Sequence, residues 1–290
     1  MHAKQLGDLI IKHLLQVAAS ASVVIVLLIF LFLFKESVPF VKQLGLGALF
    51  DTRWEPVSFV KERFGIYPLF AASLLVTLLA TVFAVPFGVL GAVYLAELAT
   101  PLEREVFKPF IELLAGIPSV VLGFFGLVVL SPLVKKTFHL DSGLTALTGA
   151  LLLALMAVPT IISISEDALK GVPKAYKQAS LALGANRLQT IWRVTVPAAL
   201  SGIVAAVMLG MGRVIGETMT VLMVTGNAPI LTFNPFESVR TMTATIAAEM
   251  GEVAFGSVHY SALFWIGIML LIATFVLNLI AQRVLRKYQR

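Results

Sequence analysis

Arg213, Glu217 and Thr220 are the residues most able to do chemistry, because they stand one turn apart in an otherwise apolar run. At these spacings they share a face if the run is helical. A guanidinium presents a planar fork of donors that suits a tetrahedral oxyanion or a carboxylate. Ionisable groups inside a membrane-length apolar segment are costly, and they face a partner or a path. Two readings stay open. Arg213 and Glu217 neutralise each other as a structural ion pair, or Arg213 binds or gates an anion beside Glu217. In the second reading the carboxylate selects among anions. Hydrogen phosphate carries a proton donor that Glu217 can accept, whereas sulfate carries none.

The elements that must position these residues are membrane helices. The chain has 290 residues, 59% hydrophobic and 13% charged, with a mean hydropathy of +0.95. A soluble domain carries about a quarter charged residues. The net charge of +6 therefore reads as basic loops on the cytoplasmic side, not as a nucleic-acid surface. The absence of cysteine excludes disulfides and thiolate metal sites. His2, His13, His139 and His259 show no ligand spacing.

Six apolar segments, at 14–34, 69–95, 113–134, 143–163, 198–224 and 262–282, are long enough to cross ~30 Å of hydrocarbon. The first is expected to be retained, since its apolar run of ~20 residues is too long for a cleavable leader and lacks a small-residue cleavage site. An even number of spans places both termini on one side. Lysine and arginine gather at the two termini and in 164–197, which predicts that these face the cytoplasm. Two regions are expected: the first span with its outer loop, 1–65, and a core of spans two to six, 66–290.

Proline and glycine interrupt several spans: Pro86 and Gly88 in the second, Gly116-Ile117-Pro118 at the start of the third, and Pro159 at the expected end of the fourth. The freed backbone groups must be satisfied by neighbouring helices or a water-lined cavity, which predicts a packed bundle with a path through it. Gly212-x-x-x-Gly216 would allow close approach of another helix.

The polar island 164–197 breaks the apolar pattern. Ser163-x-x-Glu166 has capping-box spacing and predicts the start of a short helix. Pro173 suits the first turn of a helix and Gly184 the position just past its end. Between them Tyr176, Ala179, Ser180 and Leu183 share a face. Asn186 is expected to cap a second helix that contains Ile191 and Trp192 and runs to Pro197. Such a pair either lies on the bilayer surface or inserts into a groove of a soluble partner.

Gln178-Ala179-Ser180, Gly184 and Val194-Thr195-Val196-Pro197 are similar to the cytoplasmic signature of ABC-importer permeases: Glu-Ala-Ala, three residues, Gly, nine residues, Ile-x-Leu-Pro. The departures keep side-chain size, and Gln178 lacks the charge of the family's Glu. The resemblance implies a coupling helix that docks in an ATPase subunit, with Tyr176, Gln178, Ala179, Ser180, Leu183 and Gly184 at the contact.

The run Gly212–Met219, continued by Met223, Gly226 and Asn227, resembles the fifth span of phosphate-uptake permeases of the PstC type. Glu112–Val121 resembles the start of that family's third span, and Val239–Ala244, Glu249–Glu252 and Gly256–Tyr260 its last outer loop. The likeness covers the chain from about residue 66. It implies an all-α, six-span, type I importer-like permease bundle in a bacterial or archaeal cell membrane, with a coupling helix between spans four and five. Arg213, Glu217 and Thr220 would lie on the path or gate for phosphate. The implied partners are a second, related permease subunit, two ATP-binding cassette subunits that hold ATP and magnesium, and an extracytoplasmic phosphate-binding protein. Molybdate and sulfate permeases share the Arg-x-x-Gly-Glu core, so another oxyanion is the alternative.

In the outer loop 225–261, Val239, Met242, Ile246 and Met250 form an apolar stripe at helical spacing that either packs on the membrane body or binds a partner. Arg240, Thr241, Thr243 and Thr245 would then face the mouth where substrate is delivered. A membrane-embedded hydrolase would need a His-Ser or paired-carboxylate set inside the bilayer, and Glu217 is the lone carboxylate in a span interior. No Gly-Lys-Ser/Thr phosphate loop is present, so ATP is expected on another chain, with no cofactor held by this one.

Overall fold

The computed structural model describes residues 2–45, 47, 50–58 and 61–288. Its order begins with α1 (His2–Leu44), the strands β1 (Trp54–Glu55) and β2 (Arg63–Phe64), α2 (Tyr67–Val93), α3 (Pro101–Gly116), α4 (Ser119–Phe125), α5 (Ser131–Phe138) and α6 (Ala146–Lys170). It continues with α7 (Lys174–Ala182), α8 (Arg187–Thr190), α9 (Val196–Ala198), α10 (Leu200–Ile215), α11 (Met219–Val224), α12 (Met242–Glu249) and α13 (Val258–Tyr288). Short π-helical turns extend α2, join α4 to α5 and join α8 to α9.

Five helical stretches among the described residues are long and apolar enough to span: Ile11–Leu44, Tyr67–Leu98, Ser119–Phe138, Ala146–Lys170 and Val258–Arg283. The pair Arg187–Ala198 and Leu200–Ile215, bent by 69°, makes a sixth if counted as one span. The fold is the all-α membrane bundle expected from sequence, apart from the two-residue strands. Those strands pair Trp54 with Phe64. Both rings are buried, with centroids 5.9 Å apart edge to face, and they pack with Phe40, Met242, Leu263 and Ile266.

Helix α6 is the axis. In its most apolar window 67% of residues are buried, against 28% or less for the other spans. Small residues let its neighbours approach. A Cβ on Gly88 of α2 would sit 2.6 Å from Ile161, and one on Gly210 of α10 2.8 Å from the same side chain. This is close packing of the kind that holds membrane helices together where water supplies no drive. The expected Gly212-x-x-x-Gly216 contact is not made within this chain: nothing lies within 4 Å of a Cβ at Gly212. Gly202, against Ala168, and Gly210 serve that purpose instead.

Three boundaries differ from those expected. Helix α6 runs through Pro159 and Ser163 to Lys170, so no capping box starts at Ser163. Ser165, Glu166 and Leu169 are buried on its inner face, and Glu166 pairs with Lys170 and, at 3.5 Å, with Lys108; those contacts hold the helix past the proline. The third span starts at Ser119, because Pro118 separates it from α3. Helix α3 has its own start: Pro101 fills the first turn and Thr100 forms a capping box with Glu103. The Thr100 backbone amide, and then its hydroxyl, hold the Glu103 carboxyl below the usual range. Finally, α10 stops at Ile215, with Gly216 as its cap, so the segment 198–224 is not one helix.

Overpacking the contact at Ile161 is expected to destabilise. Gly210→Val should lower stability by about 1–3 kcal/mol, read as a lower midpoint of thermal unfolding for the purified chain in detergent. Gly212→Val, which meets no neighbour, should leave the midpoint close to the parent's.

Candidate functional site

The charges of the fifth span fall on either side of its break. Arg213 lies in the last turn of α10, while Glu217 lies beyond Gly216 and before α11. The one-face helical spacing expected for Arg213, Glu217 and Thr220 therefore does not hold. Nor do the two charges meet. Arg213 is exposed, its Nη2 donates to the carbonyl of Ala115 at 3.4 Å, and it forms no ion pair among the described residues. Glu217 turns to the next element, where its Oε1 accepts from the backbone amide of Thr220 at 3.2 Å. Thr220 is fully buried, and its hydroxyl donates to the carbonyl of Ser119 at 3.2 Å. The carbonyl of Glu217 accepts from the hydroxyl of Thr243 at 2.8 Å. Ser73, Thr77, Glu217, Thr241 and Thr243 line a space of only about 10 Å³, roughly the volume needed for one water. The structure thus brings Glu217, Thr220 and Thr243 together and leaves Arg213 on the open face.

The helix pair α7–α8 forms as the local residues dictate. Gly184 has φ +86°, a conformation glycine adopts at little cost. The amide of Gly184 donates to Leu181 O at 3.0 Å, and that of Ala185 donates to Ser180 O at 3.2 Å, the two bonds of a Schellman stop. Asn186 and Gln189 then form a capping box at the start of α8. Ser180 and Thr190 hydroxyls lie 2.9 Å apart and brace the two helices. Pro173 is the residue before α7, not within it. No residue of α7 is buried. Tyr176, Gln178, Ala179 and Gly184 are exposed, Ser180 is half-buried, and Leu183 is 90% exposed. Leu181, Leu188 and Trp192 are exposed nearby.

In the loop 225–261 the structure separates the named residues. Thr241, Thr243 and Thr245 are buried, and their hydroxyls are engaged within the protein: Thr241 caps α12, and Thr245 donates to Thr241 O at 2.9 Å. The stripe Val239, Met242, Ile246 and Met250 packs inward. Arg240 is half-buried, with Nε on Asn227 O at 2.9 Å and Nη1 on Glu249 Oε1 at 2.7 Å. Glu249 also accepts from the Trp54 indole at 3.1 Å and lies 2.8 Å from His259 Nε2. This carboxylate joins the loop between α1 and α2 to α12 and α13; sequence reasoning placed Glu249 in a run resembling the family but gave it no role. The signal available was a charged residue on an otherwise apolar helix, and that alone does not name partners 195 residues away.

Removing this acceptor takes the hydrogen-bond partner from the Trp54 indole and the His259 imidazole and leaves Arg240 with its bond to Asn227 O. Glu249→Ala is expected to cost about 2–3 kcal/mol, seen as a lower thermal midpoint, with Trp54→Phe costing about 1 kcal/mol of the same stability.

Comparison with known proteins agrees with the architecture. The family of binding-protein-dependent transport system inner membrane components matches residues 84–290. A probable ABC transporter permease protein, YqgH of Bacillus subtilis, is 41% identical over 227 residues, covering 78% of this chain and 73% of that protein. The phosphate transport system permease protein PstC of Mesorhizobium japonicum is 35% identical over 274 residues, covering 88% and 82%. Among solved structures, a chain of a bacterial alginate ABC transporter, in complex with an alginate pentasaccharide-bound periplasmic protein, aligns with a TM-score of 0.67 at 16% identity over 94% of each chain. A chain of the MetNI methionine ABC transporter, in an inward-facing conformation, aligns with a TM-score of 0.59 at 19% identity over 78% of this chain and 95% of that one. At those identities the likeness is one of fold. The interrupted fifth span, the exposed helix pair and the match over residues 84–290 agree that this chain belongs to the binding-protein-dependent transport system inner membrane components, the permease subunits of ABC importers.

Proposed function

We propose that the substrate of this importer permease is inorganic phosphate and that Arg213 binds or gates it. The observation that carries this reading is the exposed Arg213 guanidinium at the break of the fifth span, which forms no ion pair among the described residues, with Glu217 turned to Thr220. A planar cationic fork with no carboxylate in ion-pair distance among the described residues suits a tetrahedral oxyanion. The relatives named as phosphate permeases support the choice of anion. Glu217 and Thr220 shape the break beside Arg213, and the Glu217 carboxylate remains the candidate acceptor for the proton of hydrogen phosphate. A molybdate or sulfate permease is the second reading, because the fold and an arginine serve any of these oxyanions.

The exposed pair α7–α8 is proposed as the docking element for the ATPase. Tyr176, Leu181, Leu183 and Leu188 offer apolar contact outside the membrane body, as a helix seated in a partner's groove requires. Because α8 runs through a π-helical turn into α9 and then α10, a push on the pair reaches the span that carries Arg213. The proposed assembly contains a second, related permease subunit, two ATP-binding cassette subunits and an extracytoplasmic phosphate-binding protein. Thr241, Thr243 and Thr245 would support the outer mouth from within. Arg240 would stand nearer the surface, beside the open hollow lined by Val57, Glu62, Glu249 and Glu252.

In vesicles holding the complete transporter, Arg213→Gln is expected to abolish uptake of labelled phosphate, and Arg213→Gln/Glu217→Gln is expected not to restore it. Near-normal uptake in the assembled double variant would favour simple charge neutralisation. Excess molybdate or sulfate that suppresses phosphate uptake as well as phosphate itself does would favour the second reading.

The native chain has no cysteine, so orientation can be tested by labelling. Cysteine in place of the exposed Val57 is expected to react with a membrane-impermeant thiol reagent in intact spheroplasts, and cysteine in place of Leu183 only after lysis. The reverse pattern would overturn cytoplasmic termini.

A further inference from the structure

Helix α7 buries no residue of its own, so its attachment to the membrane body rests on a few polar contacts. One of them, together with contacts from α3 and α8, meets the end of the second span. There the π-helical turn Tyr94–Leu98 finishes α2 and leaves its last carbonyls without intrahelical donors. Arg104 of α3 donates Nε and Nη2 to Leu95 O at 3.0 and 2.7 Å. Arg187 of α8 donates Nη2 to Glu97 O. Lys177 of α7 places Nζ 2.5 Å from Glu97 Oε1, with both side chains largely shielded. Three cations thus gather at the negative end of one helix, and one of them is met by a carboxylate.

The two contacts to Glu97 differ in kind. Arg187 and Arg104 hold backbone carbonyls, which any residue at these positions would supply. The Lys177 contact depends on the Glu97 side chain and is the one ion pair from α7 to a membrane span among the described residues. Span two packs along α6 around Gly88 and Ile161, so a displacement of α7 carried to its end is carried into the core. The other route from α7 passes through the Ser180–Thr190 contact to α8 and on to α10.

We infer that Glu97 is a positioning residue that transmits movement of α7, through Lys177, to the second span, so that the helix pair drives spans two and five together. This rests on the reading of α7–α8 as the docking element. Breaking the link should leave ATP hydrolysis in place and loosen its connection to transport.

The test uses the complete transporter in vesicles, measuring uptake of labelled inorganic phosphate and ATP hydrolysis on the same preparation. In Glu97→Gln and in Lys177→Met, phosphate taken up per ATP hydrolysed is expected to fall about tenfold, as the loss of a shielded charge-assisted contact would allow. Lys177→Arg, which keeps the charge and reach, is expected to hold the parent ratio. The double variant Glu97→Gln/Lys177→Met should be no worse than either single one, since both remove the same interaction. An unchanged ratio in both single variants, or a parallel loss of uptake and hydrolysis at constant ratio, overturns the inference. Each variant also carries cysteine at Leu183, to be cross-linked to a cysteine on the ATPase. Cross-linking with an unchanged ratio overturns the role of Glu97 alone. Failure to cross-link in the parent overturns the docking reading, and this inference with it.

Discussion

The contact on which the arrangement depends is Ile161 of α6 lodged between Gly88 of α2 and Gly210 of α10. In hydrocarbon no hydrophobic drive brings helices together, so association relies on close packing and hydrogen bonding between them. Small residues on both sides of one branched side chain permit that approach. They set α6 as the buried axis and fix the two helices that flank it. With its middle held there, α10 can bend sharply into α9 at one end and break into α11 at the other without the bundle separating.

The break after Ile215 has its polar groups satisfied by local bonds and by α12, as irregular backbone at membrane depth requires. Thr243 donates to Glu217 O, Thr218 donates to Gly216 O at 3.3 Å, and the Glu217 side chain accepts from the amide of Thr220. Two of these three bonds are local, and the third comes from α12. The loop 225–261 is therefore part of the framework of this break, and its buried threonines serve that framework. Through Glu249 the same helix is joined to Trp54 and His259, so the loop between α1 and α2, α12 and the start of α13 form one polar junction.

At the opposite end the helix pair is built differently. Its shape is set by local stops and caps, and its attachment by polar contacts at the end of α2 and by continuity with α10. An element so held keeps an apolar, exposed face while remaining joined to two spans. That combination suits the docking role proposed for it.

Much of this was legible in the sequence because it is local. The apolar spans follow from composition and length, and the left-handed stop at Gly184 and the cap at Asn186 follow from residue types whose backbone preferences do not need a tertiary partner. Other features were decided only by long-range contacts. Pro159 and Ser163 read as the end of one helix and the start of another, yet α6 passes through both because Glu166 meets Lys108 and Lys170 and its neighbours are buried. Arg213 and Glu217 read as neighbours on one helical face, yet the chain breaks at Gly216 and turns the carboxylate toward Thr220, where Thr243 of α12 completes the bonding. Spacing along a chain determines which side chains share a face only while the helix continues. Whether it continues depends on which distant groups satisfy the backbone it leaves free, and that was settled by the tertiary structure.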